Sequence, residues 1–200
     1  MEIKVKKIAV FFLLISSIII GNNGNVYAAS ATTTYGTGKY TRSVKRISWW
    51  MSYDNGGGWY EYQINNAIKN WENPGWSNPL HFVESDSNAG TMMDVYTKDE
   101  SFWGYDGNFY AETFFYNANG QDIYLPISEN YVFTRIYIND TAMHNFSANK
   151  MRGVIAHEIG HTLGLQHNNN NVNSLMCVSD RRKVETVQKT DNDAVVKFYK

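Results

Sequence analysis

The chain has 200 residues, 18 basic against 19 acidic side chains, and a single cysteine, Cys177. A net charge of −1 argues against a nucleic-acid binder and against a polybasic membrane-surface protein. One cysteine excludes an internal disulfide, and so excludes the disulfide-stapled scaffolds common among small eukaryotic secreted proteins.

Lys4, Lys6 and Lys7 precede an apolar run from Ile8 to Ile20, broken only by Ser16 and Ser17, and Val26-Tyr27-Ala28-Ala29 follows. A basic start, an apolar middle and small residues at the end are the pattern of a secretory signal peptide, expected over residues 1–28. Such a run rises only about 20 Å as a helix, short of the ~20 residues that a membrane span needs. Its removal leaves about 170 residues, enough for one domain with one core. An exported, cysteine-poor, Asn- and Tyr-rich domain reads as a bacterial extracellular protein. It is expected to be monomeric, without nucleic acid and without stable membrane association.

Residues 29–45, rich in Ser, Thr, Gly and Lys, read as a loose N-terminal arm. Ile47–Tyr53 is β-branched and aromatic, a strand, and Asp54-Asn55-Gly56-Gly57-Gly58 a turn. Tyr60, Ile64, Ala67, Ile68 and Trp71 lie on one helix face, and the helix is expected to end before Asn73-Pro74. Further strands are predicted at Leu80–Val83, Met92–Tyr96, Tyr110–Tyr116 and Thr134–Asn139. Two of the intervening turns, 104–108 and 117–120, carry enough oxygen donors to hold Ca²⁺, although both lack the regular acidic spacing of a calcium loop. Ser147 is placed to cap a helix over Ala148–Leu163, and Gly164 to end it. Thr190 is placed to cap a last helix carrying Val195, Val196, Phe198 and Tyr199. Strand, helix, several strands, helix, helix is an α+β order with a mixed sheet.

The chemistry concentrates in His157-Glu158-Ile159-Gly160-His161-Thr162-Leu163-Gly164-Leu165-Gln166-His167. His157 and His161, at i and i+4 on a helix, project from one face about 6 Å apart, which suits two nitrogens meeting one zinc. Glu158 lies about 100° around the helix, outside that shell but beside it. Gly164 permits a left-handed exit, after which His167 swings back as a third nitrogen. Three protein ligands leave a fourth position open for water, the arrangement of a catalytic rather than a structural zinc. His81 and His144 stand alone and read as ordinary residues.

This string fits His-Glu-x-x-His-x-x-Gly-x-x-His, and the chain resembles the metzincin zinc metalloproteases. Ser174-Leu175-Met176 resembles their methionine turn, with Met176 as its methionine. Within the class, residues 46–200 resemble a minimal bacterial matrixin-like (peptidase M10-type) catalytic domain. The strand Arg135–Asn139 before the zinc helix and the closing helix ending Phe198-Tyr199 support this. The resemblance implies a zincin-like fold: a twisted mixed sheet, a long N-terminal helix, an active-site helix and a C-terminal helix. It implies one catalytic Zn²⁺ on His157, His161 and His167, with Glu158 as general base in peptide-bond hydrolysis by a zinc-bound water. Gly164 and Met176 are structural, Met176 packing beneath the site, and a protein or peptide substrate pairs with an open sheet edge at Tyr110–Phe115.

The departures are specific. Val178 stands where astacins and serralysins carry a tyrosine. Cys177-Val178-Ser179-Asp180 lacks the Pro-x-Tyr wall of animal matrixins. Only His81 and His144 remain for a second zinc, and residues 29–45 hold no cysteine switch. Cys177 itself reads as a small buried hydrophobe. The rival reading is a secreted zinc-binding toxin- or adhesin-type module with little or no general protease activity. Retention of Glu158 argues against it, because a structural site has no use for a general base.

Overall fold

The computed structural model describes residues 30–52, 57–103 and 109–200. The expected signal peptide (1–28), the start of the first glycine turn and the 104–108 calcium candidate fall outside the described residues.

A six-stranded sheet runs in the order β2-β1-β3-β6-β4-β5. Its strands are β1 (Ile47–Met51), β2 (Phe82–Glu84), β3 (Met93–Lys98), β4 (Ala111–Tyr116), β5 (Asp122–Ile123) and β6 (Phe133–Asn139). The first four in spatial order are parallel, whereas β4 runs antiparallel to β6 and β5 antiparallel to β4. The sheet is therefore mixed, as expected. Period-two alternation builds its inner face: Ile47, Trp49 and Met51 are buried, as are Met93, Val95, Ile136 and Ile138.

Two helices cover that face, α1 (Gly57–Glu72) and α4 (Ala148–Thr162). The stripe Tyr60, Ile64, Ala67, Ile68 and Trp71 is buried along α1, as its spacing required. Trp71 Nε1–H donates to the Ala156 carbonyl oxygen at 2.7 Å, which locks α1 to the middle of α4. Helix α1 begins inside the glycine triplet rather than after it. Ser147 caps α4, its side-chain oxygen accepting from the Lys150 N–H.

Three short elements carry no sequence period and were not expected: α2 (Glu100–Trp103), β5 and α3 (Asp140–Met143). The last helix, α5 (Lys189–Phe198), starts two residues earlier than a Thr190 cap would place it. Gln188 is its cap: the Gln188 N–H donates to Asp191 Oδ2 at 3.1 Å, while Thr190 Oγ1 instead accepts from Thr32 N–H. In the 117–120 turn, Asn117 Oδ1 accepts from the N–H groups of Asn119 and Gln121, and Gly120 takes a φ of 71°. That is turn chemistry that uses the side-chain oxygen a cation would need.

The arm packs closely. Thr34 forms an antiparallel bridge with Leu165, and Tyr40 a parallel one with Tyr131. Tyr35 N–H donates to the Gly164 oxygen (2.9 Å) and Gln166 N–H to the Thr33 oxygen (3.0 Å). Thr32, Tyr40 and Val44 are buried.

Candidate metal centre

Helix α4 presents His157 and His161 from successive turns, and its end delivers the third imidazole. Gly164 has a φ of 85°, a conformation open to glycine and strained for most side chains. The N–H groups of Gly164 and Leu165 return to the carbonyls of His161 (2.8 Å) and Gly160 (3.1 Å), closing a Schellman turn. The chain then reverses, and His167 lies over the other two rings.

The Nε2 atom of His167 is 3.2 Å from Nε2 of His161 and 3.2 Å from Nε2 of His157. The ligand atoms of all three lie within 4.8 Å of one another, a convergence found at one place among the described residues. Nitrogens 3.2 Å apart are edges of a tetrahedron whose centre lies about 2.0 Å from each, the Zn–N bond length. The distal nitrogens are also committed. With Nε2 facing inward, Nδ1–H of His157 donates to the Leu175 oxygen and Nδ1–H of His161 to the Leu165 oxygen, each at 2.8 Å. Such outer bonds set tautomer and ring orientation. The Tyr35 hydroxyl adds a contact to His161 Nδ1 at 2.9 Å.

Burial holds His157 neutral, well below the ordinary imidazole range, and brings His161 down to about 4. His167 is lowered in the same direction, by burial of its ring and by the neighbouring His161. Neutral imidazoles are what a cation requires. Glu158 is 6% exposed, and burial raises its carboxyl to about 7, opposed by the Thr113 hydrogen bond and the Arg182 charge. Thr113 Oγ1–H donates to Glu158 Oε2 at 2.7 Å and lies 3.2 Å from the Glu158 carbonyl oxygen.

Met176 is fully buried. A Cβ added at Gly160 would fall 2.4 Å from its sulfur, so the methionine packs against α4 on the turn between His157 and His161. The turn carrying it is braced from α5. Asp191 accepts from the Ser174 hydroxyl, from Leu175 N–H (2.9 Å) and from the Thr32 hydroxyl of the arm (2.7 Å). Arg182, paired to Glu185 at 2.7 Å, reaches toward the same segment. Cys177 is buried, and its sulfur is not among the converging donors.

His81 pairs with Glu72, and His144 Nδ1–H donates to the Thr141 oxygen; both stand apart from the cluster. Thr113, Tyr35, Asp191 and Arg182 escaped the sequence reading. Alternation along β4 was the available signal for Thr113, since buried Phe115 turns positions 113 and 111 toward the same face. Tyr35 and Asp191 carried no comparable signal.

The matrixin family model, Peptidase_M10, matches residues 50–200. No curated protein sequence matches the chain. Among solved structures, a chain of the GM1-bound form of the ECX AB5 holotoxin is similar, with a TM-score of 0.51 and 17% identity. The match covers 85% of this chain and 88% of that one. At that identity the likeness is one of fold.

Proposed function

The chain belongs to the matrixin (Peptidase_M10) family, and from that premise we propose that it is a secreted zinc-dependent endopeptidase. The observation that carries the reading is the convergence of three imidazoles, His167 Nε2 lying 3.2 Å from Nε2 of each of the other two, next to a helix position that carries a buried carboxylate. His157, His161 and His167 are the metal ligands, and Glu158 is the general base. What zinc supplies when bound is Lewis acidity, which lowers the pKa of water toward ~7 and polarises a peptide carbonyl. Glu158 takes the proton of the attacking water and delivers it to the departing amine. Gly164 and Met176 hold the frame.

An extended substrate pairs with β4. No described strand pairs with Ala111–Phe114 on the side away from β6, because β5 meets only Phe115 and Tyr116. No described helix is long and apolar enough to cross a membrane.

The alternative is a zinc-binding toxin- or adhesin-type module. The holotoxin chain shares the fold of this one, and the buried, hydrogen-bonded Glu158 stands against a non-catalytic module. Zinc per chain, with casein and gelatin cleavage by wild type and Glu158→Ala, separates the two. Endopeptidase activity predicts one zinc in both proteins and a loss of cleavage of at least about 100-fold in the variant. Equal cleavage by both refutes the general base. Zinc bound without any cleavage favours the module, and zinc near zero in wild type refutes the ligand assignment.

A further inference from the structure

Helix geometry places the Glu158 backbone one residue from His157, but it leaves a long side chain whose carboxylate must be held by something else. A glutamate free to rotate loses side-chain entropy when it is brought to one geometry. The group that holds it comes from another element. Thr113 donates its hydroxyl to Glu158 Oε2 at 2.7 Å, while Oε1 makes no hydrogen bond to a described residue.

The donor is itself rigidly placed. Thr113 is β-branched, with a stiff χ1. It sits in β4 opposite Ile136 of β6, which is 0% exposed, and the register continues on both sides through Ala111–Ile138 and Phe115–Thr134. A slip of one residue would turn Thr113 to the other face and bring Glu112 or Phe114 toward α4. The register of a core strand pair therefore sets the position of the Glu158 carboxylate.

We propose that Thr113 is a positioning residue for Glu158, fixing Oε2 so that Oε1 is the oxygen that receives the water proton. This rests on the reading of Glu158 as general base. The bond suits both halves of the proton cycle. Thr113 donates to Oε2 when the carboxylate is charged, and donates to the same oxygen when the proton resides on Oε1. The threonine proton never transfers. The outer edge of the same strand is the one offered to substrate, so removing the hydroxyl leaves the backbone groups that bind substrate in place. The effect belongs in kcat rather than KM.

The test compares the zinc-loaded wild type with Thr113→Val, which keeps the shape and loses the donor, and Thr113→Ser, which keeps the donor. Zinc content and thermal midpoint are measured for all three. Then kcat and KM are measured on a peptide built around a casein bond that wild type cuts. Hydrogen bonds to charged groups predict a fall in kcat of about 10- to 100-fold in Thr113→Val. KM and zinc content should be unchanged, and Thr113→Ser should restore most of the rate. Wild-type kcat in Thr113→Val overturns the proposal. So does loss of zinc in that variant, or a Thr113→Ser as slow as Thr113→Val, since either marks a merely structural role. A wild type that binds zinc and cuts no bond, or cuts no faster than Glu158→Ala, refutes the endopeptidase reading itself.

Discussion

Gly160→Ala adds one methyl group to α4 at the point where the turn carrying Met176 presses against it. The new Cβ would sit 2.4 Å from the Met176 sulfur and 3.0 Å from Trp71 Cζ2, where ordinary contacts begin at 3.4 Å. Trp71 cannot retreat easily, because its indole N–H is bound to Ala156 in the same helix. Met176 must therefore withdraw by about 1 Å, a clash that costs about 1–3 kcal/mol. The gain in helix propensity from Gly to Ala, about 1 kcal/mol, offsets part of it. Net destabilisation of about 0–2 kcal/mol lowers the melting midpoint by at most roughly 8 °C in a domain of this size.

The larger consequence is at the histidines. The Met176 oxygen accepts from Asn168 N–H at 2.8 Å, next to His167, and the Leu175 oxygen orients His157. Moving the methionine disturbs both supports. Disturbing such outer supports costs about 10- to 100-fold in metal affinity, so zinc binding should weaken by at least about tenfold. Competition with a chelator of known affinity, alongside calorimetric melting, measures both quantities. A variant that melts a few degrees higher and binds zinc as tightly as wild type would show only the helix-propensity gain. That result would refute the close packing of Met176 against α4.

Asp191→Asn replaces an acceptor of four hydrogen bonds, from Ser174, Thr32, Leu175 and Gln188, with a group that presents N–H donors on one side. About 1–3 kcal/mol of lost stability is expected, seen as a drop of roughly 3–10 °C in the melting midpoint, with refutation by an unchanged midpoint. In the metal-free chain, His161 titrates near 4 against 6.5 when unfolded, so the unfolded chain binds the extra proton between those values. Its contribution of about 3 kcal/mol is present above pH 6.5 and is lost as the pH falls toward 4. His157 and His167 act in the same sense, while Glu158, raised from 4.5 to about 7, opposes them. Denaturant titrations of the metal-free chain at pH 7, 6 and 5 should therefore show falling stability, and a flat or rising series would contradict it.

What the sequence alone determined is what lies within one helix period or one backbone constraint. His157 and His161 share a face because 3.6 residues complete a turn. Gly164 reverses the chain because it alone tolerates φ of 85° there without strain, and Ser147 caps α4 through its own side chain. The buried stripe of α1 and the alternation of β1 follow from the same local periods.

Tertiary structure decided the rest, because those residues meet only after distant segments have paired. Thr113 reaches Glu158 across 45 positions through the β4–β6 register, and Tyr35 reaches His161 across 126 through the packing of the arm on Gly164 and Leu165. Asp191 braces the methionine turn from α5 by bonds to a backbone N–H and to hydroxyls, groups that leave no pattern in a linear string. The carbonyls of Leu165 and Leu175, which orient two of the imidazoles, are invisible to sequence for the same reason: every residue has one, and only the fold selects which faces a ring.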